Sequence, residues 1–307
     1  MASSNSENRS GCALAEEGRC PGSAACGQPG AGTCDAGQKM PQTLPQNELS
    51  NVKRVVAIMS GKGGVGKSSV TGMLATTLAR QGYKVGILDA DLTGPSVPKI
   101  FGLHERPDLA PGGEHIAPVK SRRFGIGIMS INLMLEEPDE PIIWRGPIIG
   151  SAIKQFWVDV AWGDLDYLLV DLPPGTGDAP LTVMQSIPVD GLIMVSAPQD
   201  LAVLIVRKAI RMAQLMSVPI LGLIENMSYA LCPTCGTRME LFGPSRAETV
   251  AEATGVPLLA RLPIDPQLSE LCDHGEIEEY AAEHLARVPA VLEKKLRELR
   301  PRAAQAQ

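Results

Sequence analysis

The sequence predicts an α/β fold in which a mostly parallel sheet carries helices on both faces. Three observations predict it. Short apolar runs alternate with segments of helical period along the chain. Several of the runs are apolar throughout, as strands covered on both sides are. The first run leads through a glycine-rich loop directly into a helical segment, a strand–loop–helix order.

Residues 1–50 stand apart. They are rich in Gly, Ser, Ala, Pro, Gln and Asn, carry Cys12, Cys20, Cys26 and Cys34, and have almost no large apolar side chains. Such a segment cannot bury enough surface to offset its ordering entropy. It is expected to form a flexible cysteine-containing tail ahead of a single domain over 51–307. Within that domain the expected strands are Arg54–Met59, Val85–Asp89, Ile126–Ile131, Tyr167–Asp171, Leu192–Ser196, Ile220–Glu225 and Leu258–Leu262. Between them lie the expected helices Lys67–Gln81, Pro147–Val160, Leu201–Met216 and Ser245–Thr254. Near the C-terminus Val288, Val291, Leu292, Leu296 and Leu299 share one helical face, with Lys294, Lys295, Arg297 and Arg300 nearby. That stripe packs against the domain or, in the other reading, lies on an anionic membrane.

Composition removes several classes. Of 307 residues, 44% are hydrophobic and 20% charged, enough for a core. A net charge of −6 argues against a general nucleic-acid binder, and 4% aromatic content leaves few platforms for base stacking. No apolar run approaches the roughly 20 residues of a membrane span, and the first residues have no apolar signal region. The 7 cysteines do not form the dense framework of a small secreted chain. A reducing, cytoplasmic setting is expected, with thiols free for metal or redox chemistry.

Gly61-Lys62-Gly63-Gly64-Val65-Gly66-Lys67-Ser68 satisfies G-x-x-x-x-G-K-S, the phosphate-binding P-loop. Its glycines let backbone N–H groups turn onto phosphate oxygens at a helix N-terminus. Lys67 is expected to reach the β- and γ-phosphates and Ser68 to ligate Mg²⁺, with Ser69 completing the loop. Two acidic strand ends serve it. In Leu88-Asp89-Ala90-Asp91, Asp91 is the candidate that orients the attacking water, and Asp89 supports the Mg²⁺ shell. Asp171 ends an apolar strand in the Walker B manner and is expected to hold Mg²⁺ through water. Pro173-Pro174-Gly175 makes a stiff turn after it, suited to a switch segment. The guanine-reading pattern N-K-x-D is missing, which favours ATP over GTP.

Cys232-Pro233-Thr234-Cys235-Gly236 spaces two thiolates to share one metal or one cluster. Two are too few for a four-ligand site, and the sequence has no other C-x-x-C. A two-fold homodimer would supply the other pair across an isologous interface. Spacing leaves an iron–sulfur cluster, Zn²⁺ and a redox dithiol open. Cys272 stands alone and reads as a small buried hydrophobe.

Taken together and in order, GKGGVGKSS, DADLTGPSVPKIFGL, WRGP, DYLLVDLPPGTGD, ENMSY and CPTCG closely resemble the Mrp/ApbC family of P-loop ATPases, iron–sulfur cluster carriers and scaffolds. The resemblance spans about residues 51–290. It implies a P-loop fold of the deviant Walker A type, in which Lys62 reaches the nucleotide of the partner subunit, with Lys62, Lys67 and Asp91 as the catalytic set. It places Asn226 on adenine and Pro263 and Asp265 beside the base. It implies a homodimer with a labile [4Fe-4S] cluster held by Cys232 and Cys235 of both chains, slow ATP hydrolysis, and transfer of the cluster to apo-proteins. Relatives in the cytosolic assembly machinery carry an N-terminal cluster on C-x13-C-x2-C-x5-C. Here Cys12 and Cys26 fit the first interval, but Pro29 and Asp35 stand where the next two cysteines belong. Two rival readings remain: a partitioning or septum-positioning ATPase with the same P-loop, and an ATP-driven electron donor with a fixed bridging cluster. The first does not account for Cys232 and Cys235.

Overall fold

The computed structural model describes residues 44–91, 94–135, 146–200 and 203–299. Cys12, Cys20, Cys26 and Cys34, and with them the expected tail, lie outside the described residues, apart from 44–50. In chain order the elements are β1 (Ser50–Val52), β2 (Val55–Ser60), α1 (Lys67–Arg80), β3 (Val85–Asp89), α2 (Val97–Ile100), β4 (Val119–Lys120), β5 (Gly127–Ser130), α3 (Gly146–Val158), β6 (Gly163–Leu165) and β7 (Tyr167–Asp171). They continue with α4 (Asp178–Ser186), β8 (Gly191–Ser196), α5 (Val203–Leu215), β9 (Ile220–Leu231), β10 (Arg238–Met239), α6 (Ala247–Thr254), β11 (Leu258–Ile264), α7 (Pro266–His274) and α8 (Val288–Glu298).

The main sheet runs β10-β9-β8-β2-β7-β3-β5-β4, with β11 also paired to β9. Every pairing in it is parallel except β9 with β10 and β5 with β4 at its ends. β2 shows why the strands read as unbroken apolar runs. Its side chains alternate between faces: Val55, Ala57 and Met59 enter one core with Ile153, Trp157 and Met184. Val56 and Ile58 enter the other with Leu74, Leu78 and Leu292. Helices α3 to α6 cover the first face and α1, α2 and α8 the second.

The terminal stripe packs inward. Val288, Leu292 and Leu296 of α8 are buried, while Val291 is exposed. Among the described residues no helix is long and apolar enough to cross a membrane. The sequence pattern does not predict α4, because Pro180 interrupts it; in a first turn a missing N–H costs nothing.

The expected domain start near Asn51 is too late. Trp157 Nε1 donates to the Leu44 carbonyl at 2.9 Å, and Asn47 Nδ2 donates to the carbonyls of Val158 and Val160 at 2.6 and 2.8 Å. β1 then pairs in parallel with β6. Residues 44–50 dock mainly through hydrogen bonds, with Leu44 their one apolar contact on the core, and a search for long apolar runs passes over them.

Candidate functional site

Parallel strands bring their C-terminal ends to one edge of the sheet, and the order β8-β2-β7-β3 puts the edge of β2 between them, where ligands of such sheets sit. The loop Gly61–Gly66 emerges there. Ser60 Oγ donates to the Lys62 carbonyl at 2.9 Å, and the Gly175 N–H donates to the Ser60 carbonyl at 2.8 Å, tying the turn after β7 to the loop. Gly61 is half-buried, Lys62, Gly63 and Gly64 are exposed, and Val65 is buried. Gly66 caps α1 with φ of 75°, a left-handed conformation that glycine takes without cost. The first turn of α1 contains no acidic side chain, so nothing in the turn itself opposes an anion at its N–H groups.

Lys67, at the start of α1, reaches the acidic strand ends. Its Nζ lies 2.8 Å from Asp171 Oδ2 and 3.7 Å from Asp91 Oδ2. Ser68 Oγ donates to Asp171 Oδ2 at 2.5 Å and Thr71 Oγ1 to Asp171 Oδ1 at 2.8 Å. A hydroxyl and a carboxylate oxygen converging beside a phosphate loop are hard donors of the kind Mg²⁺ takes. Asp89 is the register partner of Asp171 on β3 and is fully buried. Its Oδ2 accepts from Ser130 Oγ at 3.1 Å and its Oδ1 from the Asp91 N–H at 3.2 Å. Burial first, and the adjacent Asp171 charge second, push its pKa up to about 8, against the pull of Lys67 and Ser130. In the nucleotide-free chain burial thus favours the neutral form of Asp89, which lies beside Asp171 on the neighbouring strand.

The adenine candidates separate. Asn226 is buried, and its Nδ2 donates to the Val65 carbonyl at 2.9 Å. A Cβ on Gly66 would collide with this amide. Asn226 also does not end a strand: β9 runs on to Leu231. Pro263 lies on β11 opposite Tyr229. The Asp265 carboxylate caps α7, accepting from the Gln267 N–H at 3.0 Å and the Tyr280 hydroxyl at 2.8 Å. Its side chain is committed to that cap, so only its backbone is left to flank a base.

From β9 the chain enters a tight hairpin. The Cys232 N–H donates to the Thr237 carbonyl at 2.9 Å and the Gly236 N–H to the Cys232 carbonyl at 2.8 Å. Cys235 is exposed and Cys232 half-buried. Cys235 Sγ and Thr237 Oγ1 are 3.1 Å apart. The Thr237 hydroxyl, its N–H and the Cys232 thiol hold the Cys235 thiol below its ordinary range. Leu231, Met239, Leu241 and Phe242, all within ten residues of the pair in sequence, are exposed. Among the described residues no three metal-ligating side chains meet within one chain.

A P-loop with its acidic partners and an exposed thiol pair now stand in one domain, and comparison decides the family. The profile of the ParA/NUBPL iron-transfer P-loop NTPases matches residues 51–296. The chain belongs to this family. It is 47% identical over 251 residues to the iron-sulfur cluster carrier protein of Clostridium perfringens, covering 80% of this chain and 87% of that one. Among solved structures it is similar to a nucleotide-binding protein of Archaeoglobus fulgidus in complex with ADP: 46% identity, TM-score 0.69, 76% of this chain and 90% of that one. The cell-division protein MinD of Aquifex aeolicus, at 20% identity and TM-score 0.53 over 80% of this chain and 97% of that one, shares the fold alone.

Three residues of this chain escape a reading of the sequence. Thr71 lies one helical turn after Lys67, and that spacing could have flagged it. Ser130 is opposite Asp89 on β5, which strand order alone reveals. Thr237 sits just past the C-x-x-C. Cys272, expected as a buried hydrophobe, is half-buried against the core and hydrogen-bonded to Ser69, and burial pushes its thiol up.

Asp89 makes a pH prediction for the nucleotide-free chain. Its folded pKa lies above the unfolded value of 3.8. Its stabilising contribution is full below that value and is lost as pH rises to about 8. Asp89→Asn removes the loss. The Tm advantage of the variant is expected to grow from pH 5 to pH 8.5, by roughly 2–4 °C per kcal/mol relieved. Equal differences at both pH values would refute the buried, neutral Asp89.

Proposed function

We propose that this chain is an ATP-hydrolysing carrier that holds a labile [4Fe-4S] cluster between two copies of itself and delivers it to apo-proteins. The observation that carries the reading is the Cys232–Cys235 hairpin, with Cys235 exposed and the exposed apolar side chains Leu231, Met239, Leu241 and Phe242 in the same stretch of chain. Two thiolates supply half of a four-thiolate site, and exposed apolar side chains in the same segment suit burial against a second copy related by a two-fold axis. The names of the relatives, iron-sulfur cluster carrier proteins, agree with a cluster as cargo.

In this reading Gly61–Ser69 cradles the phosphates of ATP. Lys67 leaves Asp171 for the β- and γ-phosphates, exchanging one anionic partner for another. Ser68 and Asp171 would hold Mg²⁺, which neutralises charge developing on the phosphoryl oxygens. Asp91, beside Lys67, orients the attacking water, and Lys62 extends to the nucleotide of the partner subunit. Asp89 braces Asp171 from behind, and Thr71 fixes its rotamer. Asn226 sets the loop from the adenine side, with Pro263 and Asp265 near the base. Release of γ-phosphate frees the turn that Gly175 ties to Ser60 and so changes the dimer contact. The setting is cytoplasmic, where thiols stay reduced. Neither a membrane nor a nucleic acid is a partner.

Anaerobic mixing of the reconstituted chain with an apo-form [4Fe-4S] enzyme tests the reading. Acceptor activity should rise as the carrier loses its visible absorption. A cluster that stays bound and undergoes reversible one-electron reduction would instead make the chain an electron donor.

A further inference from the structure

One strand touches both sites. Asn226 and Met227 of β9 pack on the P-loop: the amide holds the Val65 carbonyl at 2.9 Å, and Met227 Cε would lie 3.5 Å from a Cβ on Gly66. Cys232 follows the end of the same strand, five residues after Met227, about 17 Å of extended chain at the usual rise. Between them the strand is irregular. Glu225 pairs with Arg261 of β11, yet Tyr229 pairs with Pro263, so β9 bulges over 226–228. Met227 there has φ of 54°, a conformation uncommon for a non-glycine residue. Such a residue persists only where its surroundings hold it, and such sites cluster at clamps and switches.

The surroundings here are firm on both sides. Before the bulge, buried Glu225 accepts from Ser228 Oγ at 2.5 Å and Ser245 Oγ at 2.7 Å. After it, the Arg238 guanidinium of β10 lies 3.9 Å from the Tyr229 ring centroid, joining the strand to the far arm of the cysteine hairpin. A displacement of Val65 and Gly66 when nucleotide enters therefore has a rigid path to Cys232, with one strained residue as its joint.

We propose that Met227 is a positioning residue that transmits the nucleotide state of the P-loop to the Cys232–Cys235 hairpin. This rests on the reading of Gly61–Ser69 as the nucleotide loop and of the two cysteines as the cluster ligands. It adds the route between them: the Met227 side chain next to Gly66, and a strained backbone at 227 that nucleotide binding would shift.

Alkylation rates of Cys232 and Cys235, read residue by residue by mass spectrometry on the full cluster-free chain, test it with and without Mg·ADP and a non-hydrolysable Mg·ATP analogue. In the wild-type chain nucleotide should change these rates by at least about fivefold, the low end of ordinary coupling. Met227→Gly accepts the left-handed backbone without strain and removes the side chain. Compared at nucleotide saturation, with occupancy measured directly, it should lose the response. Met227→Asn, which also tolerates that backbone, should do the same if the glycine variant folds poorly. Met227→Leu keeps bulk and strain and should retain the response. A wild-type response in both Met227→Gly and Met227→Asn, or no response in a wild-type chain that binds nucleotide, overturns the proposal. The alkylation readout needs no cluster. Iron that assembles without Cys232 and Cys235 would overturn the cluster reading instead, and the two failures are distinguishable.

Discussion

Lys67→Ala is expected to lower ATP hydrolysis by about 10²–10³-fold, the usual loss when one preorganised charge donor is removed from a transition state. Phosphoryl transfer depends on placement and electrostatics more than on covalent help, and Lys67 is the cation nearest the acidic strand ends. The same contact has a second effect. The ammonium sits 2.8 Å from Asp171, with Asp89 behind it in register, both carboxyls fully buried. Truncating one partner of a buried pair leaves the other uncompensated, a cost of about 3–5 kcal/mol. The nucleotide-free variant should therefore melt roughly 10 °C lower, with the loss shrinking at acid pH as the carboxyls protonate. Below its melting temperature it should still assemble iron and sulfide as the wild-type chain does. Phosphate release within tenfold of wild type would contradict the role given to Lys67, and loss of iron along with hydrolysis would contradict separate nucleotide and cluster sites.

The complementary change is Cys232→Ala/Cys235→Ala. Anaerobic reconstitution of the wild-type chain should yield about four irons per dimer, as four thiolates hold in a cubane cluster. The double variant should retain essentially none while hydrolysing ATP normally. Cys235 is exposed, so little stability should be lost. The comparison needs a third chain lacking residues 1–43. The cut belongs before Leu44 because Trp157 holds the Leu44 carbonyl and Asn47 holds those of Val158 and Val160. Iron that survives the double variant and disappears with residues 1–43 would move the cluster to Cys12, Cys20, Cys26 and Cys34. Iron in neither the wild-type nor the truncated chain would remove the carrier reading altogether.

What the sequence disclosed has a physical pattern. Val85–Asp89 and Tyr167–Asp171 were readable to the residue, because an apolar run closed by an acid is a local signal. The end of β9 was not. Glu-Asn-Met-Ser looks like a turn, and the strand continues through it only because Glu225, Asn226 and Tyr229 find partners on α1's loop, β10 and β11. The amphipathic stripe of α8 was equally visible, but its destination was not: a stripe fits a core or a membrane, and burial of Leu292 and Leu296 decides for the core.

The P-loop and the C-x-x-C were determined by sequence alone, since each is a short stretch whose backbone geometry and donor spacing arise within a few residues. Their family emerged from several such stretches in order. Tertiary structure decided the rest. Asp89 and Asp91 are two positions apart at one strand end, and only the register of β3 on β7 sets one beside Asp171 and leaves the other beside Lys67. Asn226 belongs to the phosphate loop only because β9 folds against it across the chain. Such roles depend on strand order and register, which are set by contacts between residues far apart in sequence, and no local pattern carries that information.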